Sequence, residues 1–331
     1  MMYVRLNGHI EITRNDGKKL SFNAFNYIEC ESDIFKINSS ALIKLPMSAR
    51  LVYTNADKQE SVQTAKQFNR GDKIKIQLGY GSDLRDEFEG FIYRINYKRP
   101  IEIECEGYEF LLRSSIDTKT WKKTTLKEVL NYIIAGTEIV LNKVIPEMEF
   151  DKYIIPANIN RLEALQVLKE SYGITIFFQK NELYAGLAYA VDNGTLKYEI
   201  GTNTIKDDNL KYRNADDVRL KIKAVWIKPD NTKVEAEVGD PEGSQRTLFF
   251  YNLSNLEELK TRAQEEIVKY KYSGYEGKIT TLLQPFAKPG MKAELSDPQY
   301  DERKGTYYIS KVKVSAGRNG GRRTIEITIK L

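Results

Sequence analysis

The sequence predicts a mainly β protein with an α+β insert: two related β-domains, barrels or sandwiches, flanking a small helix–helix–hairpin domain. Three observations carry that prediction. The run from Arg70 to Cys105 reads as three successive strands. The run from Pro289 to Ile327 repeats its plan. Between the two, helix punctuation replaces the alternation of strands.

In the first run, Arg70-Gly71-Asp72 forms a turn. Ile74, Ile76 and Leu78 then alternate with Lys73, Lys75 and Gln77, the period of a strand with one buried face. A polar loop holding Gly79 and Gly81 leads to a β-rich run from Phe88 to Tyr97, broken by Pro100. Ile101, Ile103 and Cys105 then alternate with Glu102, Glu104 and Glu106. Three such strands joined by short loops make a meander, the unit of a sandwich or barrel. The second run opens on Pro289-Gly290, continues with Met291 to Leu295, and crosses a polar loop to Gly305 and Tyr307-Tyr308-Ile309. It closes on Ile325-Glu326-Ile327. Gly71 is expected to match Gly290, and Gly90 to match Gly305, with all four as structural turn glycines. Differences in spacing fall in loops, where they cost little.

In chain order, Val4, Leu6, Gly8, Ile10 and Ile12 mark an opening strand, Asn15-Asp16-Gly17 a hairpin turn, and Lys19 to Phe22 its return. Phe25 to Cys30 continues as β, and Ser39 to Tyr53 is β-like around a break at Pro46. Asn55 to Gln67 reads as a loop or short helix. The first domain is expected to span 1–115. The insert, 116–215, carries a capping box at Thr125 and Glu128, with Leu126, Val129, Leu130, Ile133 and Ile134 on one face and Gly136 as a stop. A second helix runs from cap Asn160 and Glu163 to Gly173, and a hairpin pairs Ile174–Phe178 with Leu183–Leu187. Trp121 reads as a core anchor. The second domain, 216–331, opens on a hairpin with a basic face (Arg219, Lys221, Lys223) and an apolar one (Leu220, Ile222, Ala224, Trp226). Ser254 and Glu257 are expected to cap one more helix, with Leu256, Leu259, Ala263 and Ile267 on its stripe.

The 331 residues suit two or three domains. With 41% hydrophobic and 29% charged residues the composition is that of a soluble globular protein. A net charge of +5 makes no case for nucleic-acid binding. The first residues show no signal peptide and no run long enough to span a membrane, so folding in the cytoplasm is expected. Cys30 and Cys105 lie in strand contexts without metal-ligand spacing, and are expected to be reduced and buried.

No catalytic constellation emerges. The single histidine, His9, lies on the polar parity of the first strand with no nucleophile or orienting group nearby. One His and two distant Cys do not complete a zinc shell. Gly79-Tyr80-Gly81-Ser82 lacks the helix and lysine of a phosphate cradle. Paired acids (Asp207 and Asp208, Asp216 and Asp217, and the Glu102, Glu104, Glu106 row) leave a two-carboxylate hydrolase open on residue types alone. The Glu row reads as a solvated face or a channel lining, and the basic rows, including Arg318, Arg322 and Arg323, as solvated. No catalytic, metal or cofactor site is expected, and no cofactor. The residues point to a non-enzyme.

The ordered segments Phe68 to Ile74, Phe88 to Ile92, Ile101 to Cys105, Pro289 to Ala293 and Gly305 to Ile309 resemble the baseplate hub proteins of contractile phage tails, the late-control protein D family. The same tube-type domain occurs in the N-terminal part of type VI secretion spike proteins. The resemblance implies two tube-type β-barrel domains per chain and a homotrimer with six such domains in a ring. That ring would join a sixfold tail tube to a threefold spike, with a channel for DNA in transit lined by Glu102, Glu104 and Glu106. The chain reaches Leu331 on its last strand, so the spike is expected to be a separate polypeptide. The tail tube protein, the tape-measure protein and other baseplate proteins are the further partners implied. The implied location is the virion tail, assembled in the host cytoplasm. A tail-tip protein of a non-contractile tail, a tail-associated peptidoglycan hydrolase and a carbohydrate- or nucleic-acid-binding β module stay open as alternatives.

Overall fold

The computed structural model describes residues 5–52, 59–205 and 209–331. Val4, Tyr53, the stretch 55–58 and the pair Asp207 and Asp208 lie outside them. The first half contributes β1 (Leu6–Thr13), β2 (Lys19–Phe22), β3 (Tyr27–Asp33), β4 (Ser40–Leu45), the hairpin β5 (Ser48–Val52) and β6 (Gln59–Gln63), then β7 (Lys73–Tyr80), β8 (Asp83–Asn96) and β9 (Ile101–Glu106). Of the stretch 55–67, read as a loop or short helix, the described part is strand β6, whose residues complete a hairpin with β5, followed by a short 3-10 helix at Thr64–Lys66. The main strands are ordered β3-β4-β9-β8-β7-β1-β2, all antiparallel. Ile10, Ile12, Ile74, Ile76, Ile101 and Ile103 are buried on one face, the parity that their alternation requires.

The insert holds β10 (Lys119–Trp121), β11 (Thr124–Thr125), α1 (Leu126–Ile134), β12 (Val140–Leu141), β13 (Glu149–Phe150), β14 (Tyr153–Ile155), α2 (Arg161–Tyr172), β15 (Thr175–Gln179) and β16 (Glu182–Gly186). Both helices start in reciprocal capping boxes, Thr125 with Glu128 and Asn160 with Glu163. Gly173, at a φ of 61°, ends α2. Arg161 Nη1 donates to the carbonyls of Ile133 (2.7 Å) and Ala135 (2.6 Å), which satisfies the end of α1 from the start of α2. Trp121 packs edge-on against Tyr132 at 5.3 Å, a structural contact.

The last part comprises β17 (Thr195–Glu199), β18 (Leu210–Arg213), β19 (Leu220–Ile227), β20 (Lys233–Gly239), β21 (Ser244–Phe250), α3 (Leu256–Tyr270), β22 (Gly274–Thr281), β23 (Lys292–Ser296), β24 (Gly305–Gly317) and β25 (Gly320–Lys330). Three differences from the sequence reading appear here. Strands β17 and β18, counted with the insert, pair with β23 and β22. The hairpin β19–β20 gains a third strand, β21, parallel to β19, and this sheet is separate from the main one. Its Val225 and Ile227, on the parity of the basic residues, pack into the core of the insert instead, while Ile222 and Ala224 meet Leu259 and Ala263 of α3. Finally, α3 is capped by Asn255, whose side chain accepts from Glu258 N at 2.9 Å, one residue later than expected. Glu258 reaches back to Ser254 N, so the cap sits where it can satisfy both free donors.

The second half thus runs β18-β22-β25-β24-β23-β17. This is the order β3-β4-β9-β8-β7-β1 with each strand replaced by its counterpart, in the same chain order. Only the last pair differs, since β17 is parallel to β23 whereas β1 is antiparallel to β7. The two halves join where β24 pairs with β3, and one hydrophobic core runs through both.

Candidate functional site: a polar sheet face and two open edges

The turn glycines fix how the halves correspond. Gly71 N–H donates to Ile92 O at 2.8 Å, and Ile92 N–H to Asp72 O at 3.0 Å. Gly290 N–H donates to Ile309 O at 2.9 Å, and Ile309 N–H to Met291 O at 2.9 Å. Both glycines have positive φ, 91° and 86°, which a side chain would strain. Gly71 therefore corresponds to Gly290 and Ile92 to Ile309. A bulge follows each isoleucine, between Ile92 and Arg94 in one half and between Ile309 and Lys311 in the other.

This correspondence corrects the second glycine pair. Gly90 lies two residues before Ile92, so it matches Tyr307, and Gly305 matches Phe88. Gly90 is no turn residue: it sits inside β8 opposite Ile74, where a Cβ would meet Glu106 O at 2.1 Å. Gly305 opens β24 after a polar loop. By the same rule, Ile103-Glu104-Cys105 is the partner of Ile325-Glu326-Ile327.

Glu102, Glu104 and Glu106 share one face of β9, and each meets a cation. Glu102 contacts Lys98 at 3.0 Å and Lys44 at 3.4 Å, Glu104 contacts Arg94 at 3.8 Å, and Arg113 grips Glu106 at 2.5 Å. Hydrogen bonds from Lys98 hold the Glu102 carboxyl below its usual range. The face continues across the joint between halves. Lys311 pairs with Glu31 and Lys313 with Glu29, both at 2.7 Å, and Lys278 with Glu326 at 3.8 Å. The row is thus one column of a mixed-charge sheet face rather than a bare acidic stripe. A hollow of about 330 Å³ lies on it, bordered by Glu29, Glu31, Tyr93, Glu104 and Glu106.

Opposite this face, a cavity of about 510 Å³ lies where both halves meet the insert. On its wall Arg323 of β25 and Glu87 of β8 form a buried ion pair at 2.6 Å. Burial raises the Glu87 carboxyl, with Arg323 pulling the other way. Arg323 was expected to be solvated, but it also donates to the carbonyls of Leu283 and Ala287, and so it holds the loop before Gly290. The turn Gly79 to Ser82 closes the β7–β8 hairpin. His9 bonds Asn23 at 2.8 Å. Among the described residues no group of three or more His, Cys, Asp or Glu side chains is placed to hold a metal, and no helix is long and apolar enough to cross a membrane.

No protein-family model and no curated protein matches the sequence. Solved structures do. The chain is similar to the tail protein from Neisseria meningitidis MC58, with a TM-score of 0.63 and 13% identity over 98% of this chain and 96% of that one. It is similar to the 43 kDa tail protein of prophage MuSo2 from Shewanella oneidensis, with a TM-score of 0.62 and 15% identity over 98% and 97%. The E. coli c3393 protein, a component of the type VI secretion system, follows at a TM-score of 0.56 and 13% identity over 92% and 73%. The chain has the phage tail-protein fold.

Within this tail-protein fold the joint between halves is used once. In β24, residues 305–308 pair with β23 and residues 311–317 pair with β3 on the same edge. In β8, residues 83–91 pair with β7, and among the described residues no strand continues along that edge past Phe91. The counterpart of β3 is β18, which pairs with β22 and stands at the end of the sheet. Tyr97, just beyond β8, is 79% exposed, and Tyr212 of β18 is 45% exposed.

Proposed function

We propose that the chain is a structural hub of a phage or phage-like tail. In this reading three copies form a ring of six tube-type units that adapts a sixfold tail tube to a threefold spike and leaves a channel for DNA. The supporting observation is the internal repeat: six strands in one order twice, with matching turn bonds and matching bulges. Three chains of two similar units supply sixfold contacts on one side and threefold contacts on the other. We take the units as 1–115 and a second one beginning near Thr195 rather than at 216, with the α+β parts set between their strands. The polar face carrying Glu102, Glu104 and Glu106 is the candidate channel lining. Its balanced charges would give passing phosphates no continuous basic track to bind. The partners in this reading are a separate spike protein, the tail tube protein and neighbouring baseplate or tape-measure proteins. The role is non-catalytic and its place is the virion tail.

Light scattering at micromolar concentration, without tail partners, tests the reading. A trimer is expected. A chain that is monomeric both alone and in the assembled tail overturns it, and clearing of a cell-wall substrate in a zymogram would favour a hydrolase instead.

A further inference from the structure

We infer that neighbouring copies of this chain are stitched by an antiparallel strand pair between the open edge of residues 94–97 and strand β18 of the next copy. The inference rests on the ring reading and names its seam.

Within the chain, the second unit offers the distal half of β24, and the first unit offers β3. The operation that carries the first unit onto the second carries β3 onto β18. Applied again, it demands a strand equivalent to β24 beside β18. The only such strand is β8, and within one chain β8 already belongs to the first unit. The contact must come from another copy. It is heterologous, head to tail, and contacts of that kind close into a ring or run on as a filament.

The correspondence also sets the register. Cys30 faces Ala41, which faces Cys105, while Leu210 faces Gly277, which faces Ile327. Since Cys105 matches Ile327, Cys30 matches Leu210. Within the chain Val314 faces Cys30, and Val314 matches Tyr97. Tyr97 of one copy therefore faces Leu210 of the next, Asn96 faces Lys211, and Ile95 faces Tyr212. The chemistry of the two faces agrees with this register. Ile95, Tyr97, Leu210 and Tyr212 fall on the parity of Val312, Val314, Ile28 and Cys30, so the two exposed tyrosines lie along one apolar strip. Arg94 and Arg213 come opposite each other, but each already has an acid, Glu104 at 3.8 Å and Glu276 at 2.8 Å. Pairing also covers backbone donors and acceptors of two exposed edges, which folded proteins otherwise protect.

Two single variants of the full chain, Tyr97→Cys and Leu210→Cys, make the test. Each is purified alone, then mixed with the other and oxidised, and the products are read on a non-reducing gel alongside light scattering. A disulfide-linked dimer in the mixture that neither variant gives alone is expected, and the double variant should close into a covalent trimer. If Leu210→Cys fails to fold, Asn96→Cys with Lys211→Cys reads the next position of the same register. A protein that is trimeric yet yields no cross-link with either pair overturns the seam and leaves the ring reading standing. A protein that is neither trimeric nor cross-linked, both alone and in the assembled tail, overturns both.

Discussion

Arg323 of β25 and Glu87 of β8, 236 residues apart, meet at 2.6 Å with 1% and 3% of their side chains exposed. Through this pair the C-terminal hairpin of the second unit is fastened to the long strand of the first. Nearly all the donors of Arg323 are used, and the Phe286 ring lies 4.9 Å from its guanidinium. Arg323→Met leaves Glu87 buried and unpaired, and should cost about 3–5 kcal/mol of stability. Adding Glu87→Leu should restore a large part of that loss. Chemical denaturation of the single and double variants checks it; a double variant no more stable than Arg323→Met would show that the ion pair is not what the first substitution broke.

Glu109 gives the protein a pH dependence. Its side chain is fully buried, and burial pushes its carboxyl from 4.5 up to about 8. Hydrogen bonds from the backbone N–H of Gly107 and Ser39, each 2.9 Å from Oε1, oppose that rise without cancelling it. Between these two values the unfolded chain is ionised while the folded chain holds the proton. Folding then takes up a proton, so stability is full near the lower value and falls as pH rises towards about 8. In Glu109→Gln the amide oxygen can accept the same two bonds and cannot ionise. The variant should lose the wild-type decline in denaturation midpoint between about pH 5 and pH 8. A decline of unchanged size would assign it to other groups.

Three glycine substitutions should rank in a definite order. At Gly71 the cost of alanine is the positive φ, about 1–2 kcal/mol, and at Gly290 a contact of 2.7 Å with the movable Asn193 side chain adds to the same strain. At Gly90 the cost is a collision, since the added Cβ would lie 2.1 Å from Glu106 O of the neighbouring strand. Gly90→Ala should therefore destabilise most, by forcing β8 and β9 apart beside the Glu row. Melting temperatures of the three variants give the ranking, and a Gly90→Ala protein milder than Gly71→Ala would contradict it.

Cys30 and Cys105 should stay unlinked. Strand β4 runs between them, with Ala41 opposite both, so their Cα atoms are separated by two strand spacings, roughly 9–10 Å. A disulfide needs less than about 7 Å. Both thiols are buried, and burial raises them well above the usual range. A thiol reagent should label neither in the native protein and both after unfolding. A Cys30–Cys105 link in non-reducing mass analysis would contradict the strand order.

Local patterns carried much of this protein. The alternation of Ile74, Ile76 and Leu78, the capping boxes at Thr125 and Asn160 and the turns at Gly71 and Gly290 all act between near neighbours, so they are written in consecutive residues. The repeat itself was legible for the same reason. Its alignment was not: a slip of two residues keeps every side chain on its own face, so the alternation cannot tell Gly305 from Tyr307 as the partner of Gly90. Only the hydrogen bonds of Ile92 and Ile309, and the bulges after them, decide between the two. The same limit hid β21, the burial of Arg323 and the joining of β24 to β3. These depend on which strand lies alongside, a choice made by packing between residues far apart in the chain, and the edges left open by that choice are visible only once the sheet is assembled.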